Sequence, residues 1–256
     1  MSLEKLFDLN DKVAIITGAS KGIGASMAKI LAKHGASVVV SSRNQEAVDS
    51  VAGEIVNDGG EAIGIACHVG KEDQLQKLVN ETLIKYGGVD ILINNAATNP
   101  IYGPMHEVSG ELYDKIMGVN VKSPFLLSNM VMPSMKERGG GSIINIASVE
   151  GLKPGLGLGV YSVSKGSLIM LTQNQAREWG NFGIRSNVIC PGLIKTKFSQ
   201  ALWTNESLMG FINKQLPLGR IGQPDEMAGL ALFLASDASS YCTGGVFTAD
   251  GGYMLT

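Results

Sequence analysis

Seven short runs of branched apolar residues punctuate the chain: VAIIT at 13–17, SVVVS at 37–41, AIGIA at 62–66, DILIN at 90–94, SIINIA at 142–147, IRSNVI at 184–189 and GVFTA at 245–249. Each is nearly free of charge and bounded by glycine or polar residues, as a strand buried on both faces would be. Between them the apolar spacing becomes helical. Met27, Ile30 and Leu31 share one face over 23–34, and Leu75, Leu78, Val79 and Leu83 share one over 72–86. Two longer helices are expected at roughly 110–137 and 160–180. Strands alternating with helices predict a seven-stranded parallel sheet covered by helices on both faces, in one doubly wound α/β domain over 1–256.

Composition narrows the function classes. With a net charge of −2 and no long basic or acidic run, the chain has no electrostatic footprint for nucleic acid or a membrane surface. Cys67, Cys190 and Cys242 are dispersed, without C-x-x-C or companion histidines, so no metal site is expected and the thiols are read as reduced. The stretch MSLEKLFDLNDK is too charged for a secretory leader, no apolar run approaches the ~20 residues of a membrane span, and GGYMLT is not a peroxisomal address. The cytoplasm is the expected compartment.

The turn after the first strand, T-G-A-S-K-G-I-G at 17–24, carries the first chemistry. Gly18 can take a positive φ, Gly22 lets backbone approach a ligand, and Gly24 lets helix and strand pack closely. The following helix N-terminus presents free N–H groups to phosphate, so Gly18, Ser20, Lys21, Gly22, Ile23 and Gly24 are expected to cradle a dinucleotide in a Rossmann arrangement. At the end of the second strand, Ser42 and Arg43 stand where an NAD site has a carboxylate. With Lys21, Arg43 favours a 2′-phosphate and hence NADP(H) over NAD(H); two solvated surface cations are the alternative. His68 and Val69, after the third strand, are expected to edge the adenine. After the fourth come Asn94, Asn95, Ala96 and Ala97, whose small alanines leave room for a flat ligand and whose asparagines can tie neighbouring strands.

Tyr161 and Lys165 lie four residues apart, on one face of an expected helix. An ammonium one turn away stabilises a phenolate. Lowering the phenol from about 10 to near 7 takes roughly 4 kcal/mol and would give a general acid/base near neutral pH.

With these residues in place the chain resembles the classical short-chain dehydrogenase/reductase family over nearly its whole length. The shared features are T-G-A-S-K-G-I-G at 17–24, N-N-A-A at 94–97, V-N-V at 119–121, I-A-S at 146–148, Y-S-V-S-K at 161–165 and P-G-L-I-K-T at 191–196. The resemblance implies Tyr161 as acid/base, Lys165 as its partner and ribose ligand, Ser148 as donor to the substrate oxygen, and Asn120 as holder of a water in a proton relay. It also implies cofactor contacts from Pro191, Gly192, Ile194 and Thr196, and a homotetramer. S-S-R-N with Lys21 resembles the NADPH-preferring carbonyl reductases. Two departures stand out: His68 replaces the usual adenine-side acid, and N-N-A-A replaces N-N-A-G.

The substrate is expected to be a small carbonyl or alcohol. Its walls come from Thr98, Asn99 and Ile101, from the stretch after Ser148, and from 197–216, read as a mobile lid or else as a plain amphipathic helix. Glu150 is expected to face solvent; facing the pocket, it would disfavour carboxylate substrates. Two further readings are a 3-oxoacyl-[acyl-carrier-protein] reductase, for which Lys195, Lys197, Lys214 and Arg220 offer a thin basic patch, and a non-catalytic dinucleotide sensor. The Y-x-x-x-K spacing argues against enoyl reduction.

Overall fold

The structure, a computed structural model, describes residues 3–256; Met1 and Ser2, at the head of the stretch weighed above as a leader, lie outside the described residues. Its strands are β1 Val13–Thr17, β2 Ser37–Ser42, β3 Glu61–Ala66, β4 Ile91–Asn94, β5 Gly141–Ile146, β6 Ile184–Pro191 and β7 Val246–Ala249. Each apolar run singled out in the sequence is one of them. The sheet is parallel throughout, in the order β3-β2-β1-β4-β5-β6-β7. The helices are α1 Gly22–Lys33, α2 Gln45–Asn57, α3 Glu72–Tyr86, α4 Gly110–Met117, α5 Ser123–Glu137, α6 Gly159–Trp179, α7 Gln200–Trp203, α8 Glu206–Gln215 and α9 Pro224–Ala235.

Side chains on a strand alternate between faces, so each central strand feeds two cores. Ile16, Val38, Val40, Ile93 and Ile144 join Met27 and Leu31 of α1, Val48 of α2 and Met227 of α9 on one face. Ile15, Val39, Leu92 and Ile143 join Leu75 and Leu78 of α3 with Leu127 and Val131 of α5 on the other. Burial on both faces explains why the strands read as uninterrupted apolar runs.

The expected helix over 110–137 is instead α4 and α5 joined by a π-turn, Gly118–Lys122, in which the Ser123 amide reaches back to the Gly118 carbonyl. The sequence contains the cause. An α-helical ladder would pair the Asn120 carbonyl with the amide of residue 124, which is proline and has no N–H.

At the opposite end of the sheet from the glycine turn, Arg138 holds Asp90 through Nε and Nη2, both at 2.9 Å, while Asp90 also accepts from the Val13 amide at 2.8 Å. Asp90 is buried and Arg138 partly exposed. Arg138→Ala should leave that carboxylate short of its charged partner and cost about 2 kcal/mol, less than for a fully buried pair. Chemical denaturation should show a lower midpoint with unchanged m-value.

Candidate active site

The chain leaves β1 toward β2 and β3, then returns to place β4 on β1's other side. The helices that follow diverge there and open a crevice at the C-terminal strand ends, the usual ligand position of such sheets. Thr17, the last residue of β1, ties the crevice together. Its hydroxyl accepts from the amides of Asn95 and Ala96, both at 3.1 Å. The Asn95 side chain donates back to the carbonyls of Thr17 and Gly18, both at 3.0 Å. Asn94 spans to Asn145 of β5 at 2.9 Å. Both asparagines therefore tie strands.

The glycine turn has the expected shape. Gly18 and Gly22 have φ of +64° and +57°, and a Cβ on Gly18 would lie 2.8 Å from the Ala96 Cα. On Gly24 it would lie 2.6 Å from the Gly18 carbonyl oxygen, and on Gly22 3.3 Å from the Thr196 methyl. The start of α1 has neither a side-chain cap nor an acidic residue in its first turn, so its first amides are left for a ligand. This cradle fits a dinucleotide phosphate. Ser20 and Ser42 join their hydroxyls at 3.1 Å, drawing the glycine turn to the end of β2. Lys21 and Arg43 extend from those two loops, both exposed. Ile23 and Ile194 turn their side chains into the core, as does Val69 on the other face. His68 Nδ1 accepts from the Gly70 amide at 3.1 Å and shapes its own loop. Gly192 donates to the Ala249 carbonyl at 3.0 Å, following Pro191 at the end of β6.

β5 delivers Ser148 just past its end, and α6 delivers Tyr161 and Lys165 from its first turns. The Ser148 hydroxyl faces the Tyr161 phenol, near enough to favour its ionised form. Lys165 is buried; its Nζ donates to the Ile146 carbonyl at 2.8 Å and lies 5.6 Å from the centre of the Tyr161 ring. Asn120, also buried, exchanges two hydrogen bonds with the backbone of Thr98, at 2.8 and 3.0 Å, and donates to Ser164 at 3.0 Å. Ser164 in turn donates to the Tyr161 carbonyl at 2.7 Å. The four residues named from the sequence thus converge on one edge of the crevice.

The expected pKa relationship is not the one found. Burial raises the Tyr161 phenol above its usual range and the Glu150 charge adds to the rise, while the Ser148 hydroxyl opposes it. Tyr161 itself is half-buried. The lysine is the group brought down: burial lowers Lys165 to about 8. Its ammonium is committed to a carbonyl and sits over the ring. Desolvation outweighs charge attraction here, because both side chains are held between β5 and α6.

Comparison with known proteins agrees with this geometry. A sequence-family model described as "Enoyl-(Acyl carrier protein) reductase" matches residues 18–254. The chain is 44% identical over 244 residues to dehydrogenase/reductase SDR family member 4 of Oryctolagus cuniculus, covering 95% of this chain and 94% of that protein. The chain belongs to the short-chain dehydrogenase/reductase family. Among solved structures, a gluconate 5-dehydrogenase from Burkholderia cenocepacia in complex with NADP and tartrate superposes with a TM-score of 0.95 at 32% identity, covering 100% of both chains. A 7α-hydroxysteroid dehydrogenase complexed with NADH and 7-oxo glycochenodeoxycholic acid gives 0.95 at 36% identity, covering 98% of each. The protein is an oxidoreductase acting on CH–OH or C=O with a nicotinamide cofactor. Among the described residues, no helix is long and apolar enough to cross a membrane.

The segment over 197–216 folds as α7 and α8, with Phe198 and Phe211 exposed and the Phe198 ring 6.4 Å from that of Tyr161. Trp203 donates from Nε1 to the Thr196 carbonyl at 2.7 Å, anchoring the segment to the stretch that follows β6. Glu150 corrects the sequence reading: its carboxylate accepts from the Gly155 amide at 2.7 Å and the Ser162 hydroxyl at 3.0 Å, so it is half-buried and tied to its loop and to α6 instead of standing free in solvent. Thr17 carries no role of its own in the sequence reading; its place at the end of β1, before the first glycine, is the signal for the one it has.

The lowered Lys165 makes stability depend on pH. Its folded pKa, about 8, lies below the unfolded value of about 10.4, so between them the unfolded chain binds more protons. The cost of burying the charge is fully present below pH ~8, fades as pH rises and is gone above ~10.4, a span of roughly 3 kcal/mol. Lys165→Met should flatten this slope. At neutral pH it should stabilise the ligand-free protein by about 2 kcal/mol, once the lost Ile146 hydrogen bond is deducted. Thermal melts of both proteins at pH 7 and pH 10 would test the sign.

Proposed function

We propose that this protein is an NADP(H)-dependent carbonyl reductase, reversible as an alcohol dehydrogenase, with Tyr161 as general acid/base. The observation that carries the reading is the convergence of Ser148 and Lys165 on the Tyr161 side chain, at the crevice edge shared with the uncapped start of α1. The residues proposed to hold the dinucleotide are Gly18, Ser20, Lys21, Gly22, Ile23, Gly24, Ser42, Arg43, His68, Val69, Asn95, Ala96, Ala97, Pro191, Gly192, Ile194 and Thr196, with Tyr161 and Lys165 at the ribose.

When bound, the nicotinamide supplies or accepts the hydride. Ser148 and Tyr161 hold the substrate oxygen with two hydroxyls, and both hydrogen bonds strengthen as negative charge develops there. A raised pKa keeps the proton on Tyr161 until that oxygen takes it. Lys165, with a pKa of about 8, is mostly protonated at neutral pH and stabilises the phenolate left behind. The side chain of Asn120 is taken up by Thr98 and Ser164. Its carbonyl lacks the α-helical donor that Pro124 cannot provide, and it is the group we assign to hold the relay water.

Preference for NADP(H) rests on Lys21 and Arg43, exposed on adjoining loops where no carboxylate stands to meet a 2′-hydroxyl. A carrier-protein substrate is less well supported. Arg220 is held by Glu226 at 2.7 and 2.8 Å and Lys195 lies over Trp203, which thins the basic patch an acidic carrier would need. Retention of Asn120, Ser148, Tyr161 and Lys165 weighs against a non-catalytic sensor. The homotetramer reading is supported by exposed apolar side chains on α5 and α6, Phe125, Val163 and Met170. Sedimentation should give a tetramer, and a stable monomer at micromolar concentration would end that reading.

The functional test follows nicotinamide absorbance with NADPH or NADH and a panel of diketones, aromatic aldehydes, retinal, keto-sugars and acetoacetyl thioesters. NADPH-dependent reduction is expected, with Tyr161→Phe lowering kcat by ~100-fold or more. Arg43→Ala should reduce kcat/KM for NADPH by roughly 10-fold or more while leaving that for NADH nearly unchanged. Turnover with NADH alone would refute the cofactor assignment.

A further inference from the structure

Glu150 lies two residues past Ser148, on a short 3-10 turn, Val149–Gly151, that follows β5. It makes three hydrogen bonds, and each fixes part of the site. Its amide donates to the Ser148 Oγ at 3.2 Å, which occupies a lone pair of that hydroxyl and leaves its proton to point elsewhere. One carboxylate oxygen accepts from the Gly155 amide at 2.7 Å and from the Ser162 hydroxyl at 3.0 Å. Ser162 is the neighbour of Tyr161 on α6. The turn is also seated on that helix's backbone, since a Cβ on Gly151 would lie 2.7 Å from the Lys165 carbonyl carbon.

We propose that Glu150 is a positioning residue for the reaction: its amide orients the Ser148 hydroxyl, and its carboxylate staples the loop after Ser148 to the helix that carries Tyr161. The proposal rests on the reading of Tyr161 as the acid/base. Without the staple, Ser148 and Tyr161 belong to separate elements with only the close turn-to-helix contact to keep their register, and small displacements of donors weaken transition-state stabilisation steeply.

The charge has a separate effect. From α6, Tyr161 faces Lys165. From the turn after β5 it faces Ser148 and Glu150. Phe198 lies against it from the segment after β6, and Cys190 on β6 stands beside Lys165. Glu150 and Lys165 are the charged members, with opposite signs. The Glu150 carboxylate favours the protonated phenol, the form a reductase needs at the start of its cycle.

The test compares wild type, Glu150→Gln, Glu150→Ala and Tyr161→Phe as full-length proteins, reducing diacetyl, or whichever panel carbonyl the wild type reduces fastest, with NADPH across a pH series. Glu150→Gln keeps the amide and an acceptor oxygen, so kcat at neutral pH should stay within about three-fold of wild type. Having lost the charge, it should show the alkaline fall in kcat/KM about one pH unit lower. Glu150→Ala loses the staple; kcat should fall ~10- to 100-fold with KM little changed, and the glutamine variant should recover most of that loss. A merely structural role would lower stability without moving the pH limb. Wild-type kcat and pH dependence in both Glu150 variants, with Tyr161→Phe inactive, would overturn this proposal and leave the functional reading standing. An active Tyr161→Phe, or a wild type that reduces nothing, would overturn both.

Discussion

The hydrogen bonds between Thr17 and Asn95 are the constraint on which the rest of the structure depends. They join the ends of β1 and β4, the neighbouring strands from which the chain winds outward in opposite directions. Because Asn95 also holds the Gly18 carbonyl, the same side chain sets the glycine turn and, through it, the start of α1. Gly24 then fits only as glycine, since any Cβ would meet Gly18 and Asn95. A phosphate cradle needs amides that no protein group consumes. Here Asn95 takes the Gly18 carbonyl, Ser20 pairs with Ser42 and no side chain caps α1, which leaves its first amides available.

The chemical edge is assembled on the same plan of buried polar groups that bond one another. Asn94, Ser128, Asn145, Thr172, Gln175 and Ser186 form a hydrogen-bonded chain across β4, β5, α5, α6 and β6, deep beneath the site. Such a network tolerates little displacement, because a partner lost in the interior is not replaced by water. It holds α6 against β5. That in turn places Lys165 below the ring of Tyr161 and Ser148 beside its hydroxyl. Rigidity comes from this base, whereas Phe198, against the Tyr161 ring, and Phe211 are exposed on the segment after β6.

Much of this was legible in the one-dimensional pattern. Seven apolar runs gave seven strands, most clearly β1, β2, β4 and β5, whose burial on both faces selects against charge, and α3 occupies the 72–86 range its spacing predicted. The break between α4 and α5 was written in Pro124 but obscured by a continuous helical period on either side. The sign of the Tyr161 shift was not legible, because spacing on a helix reports proximity and says nothing of solvent. Glu150 was misread for a related reason. A lone carboxylate in a glycine-rich stretch is usually solvated, and its partners, the Gly155 amide and the Ser162 hydroxyl, are revealed only when the loop folds back on α6.

The sequence by itself determined the sheet, the glycine turn and the identity of Asn120, Ser148, Tyr161 and Lys165, since each depends on local period, on φ, or on a motif contained within a few residues. Tertiary structure alone decided which groups share water and which are cut off from it. That Lys165 is lowered and Tyr161 raised, and that Glu150 is tied to α6, follow from desolvation and from contacts between elements that meet only in the fold, and these exist only once β5, α6 and the loop between them have packed.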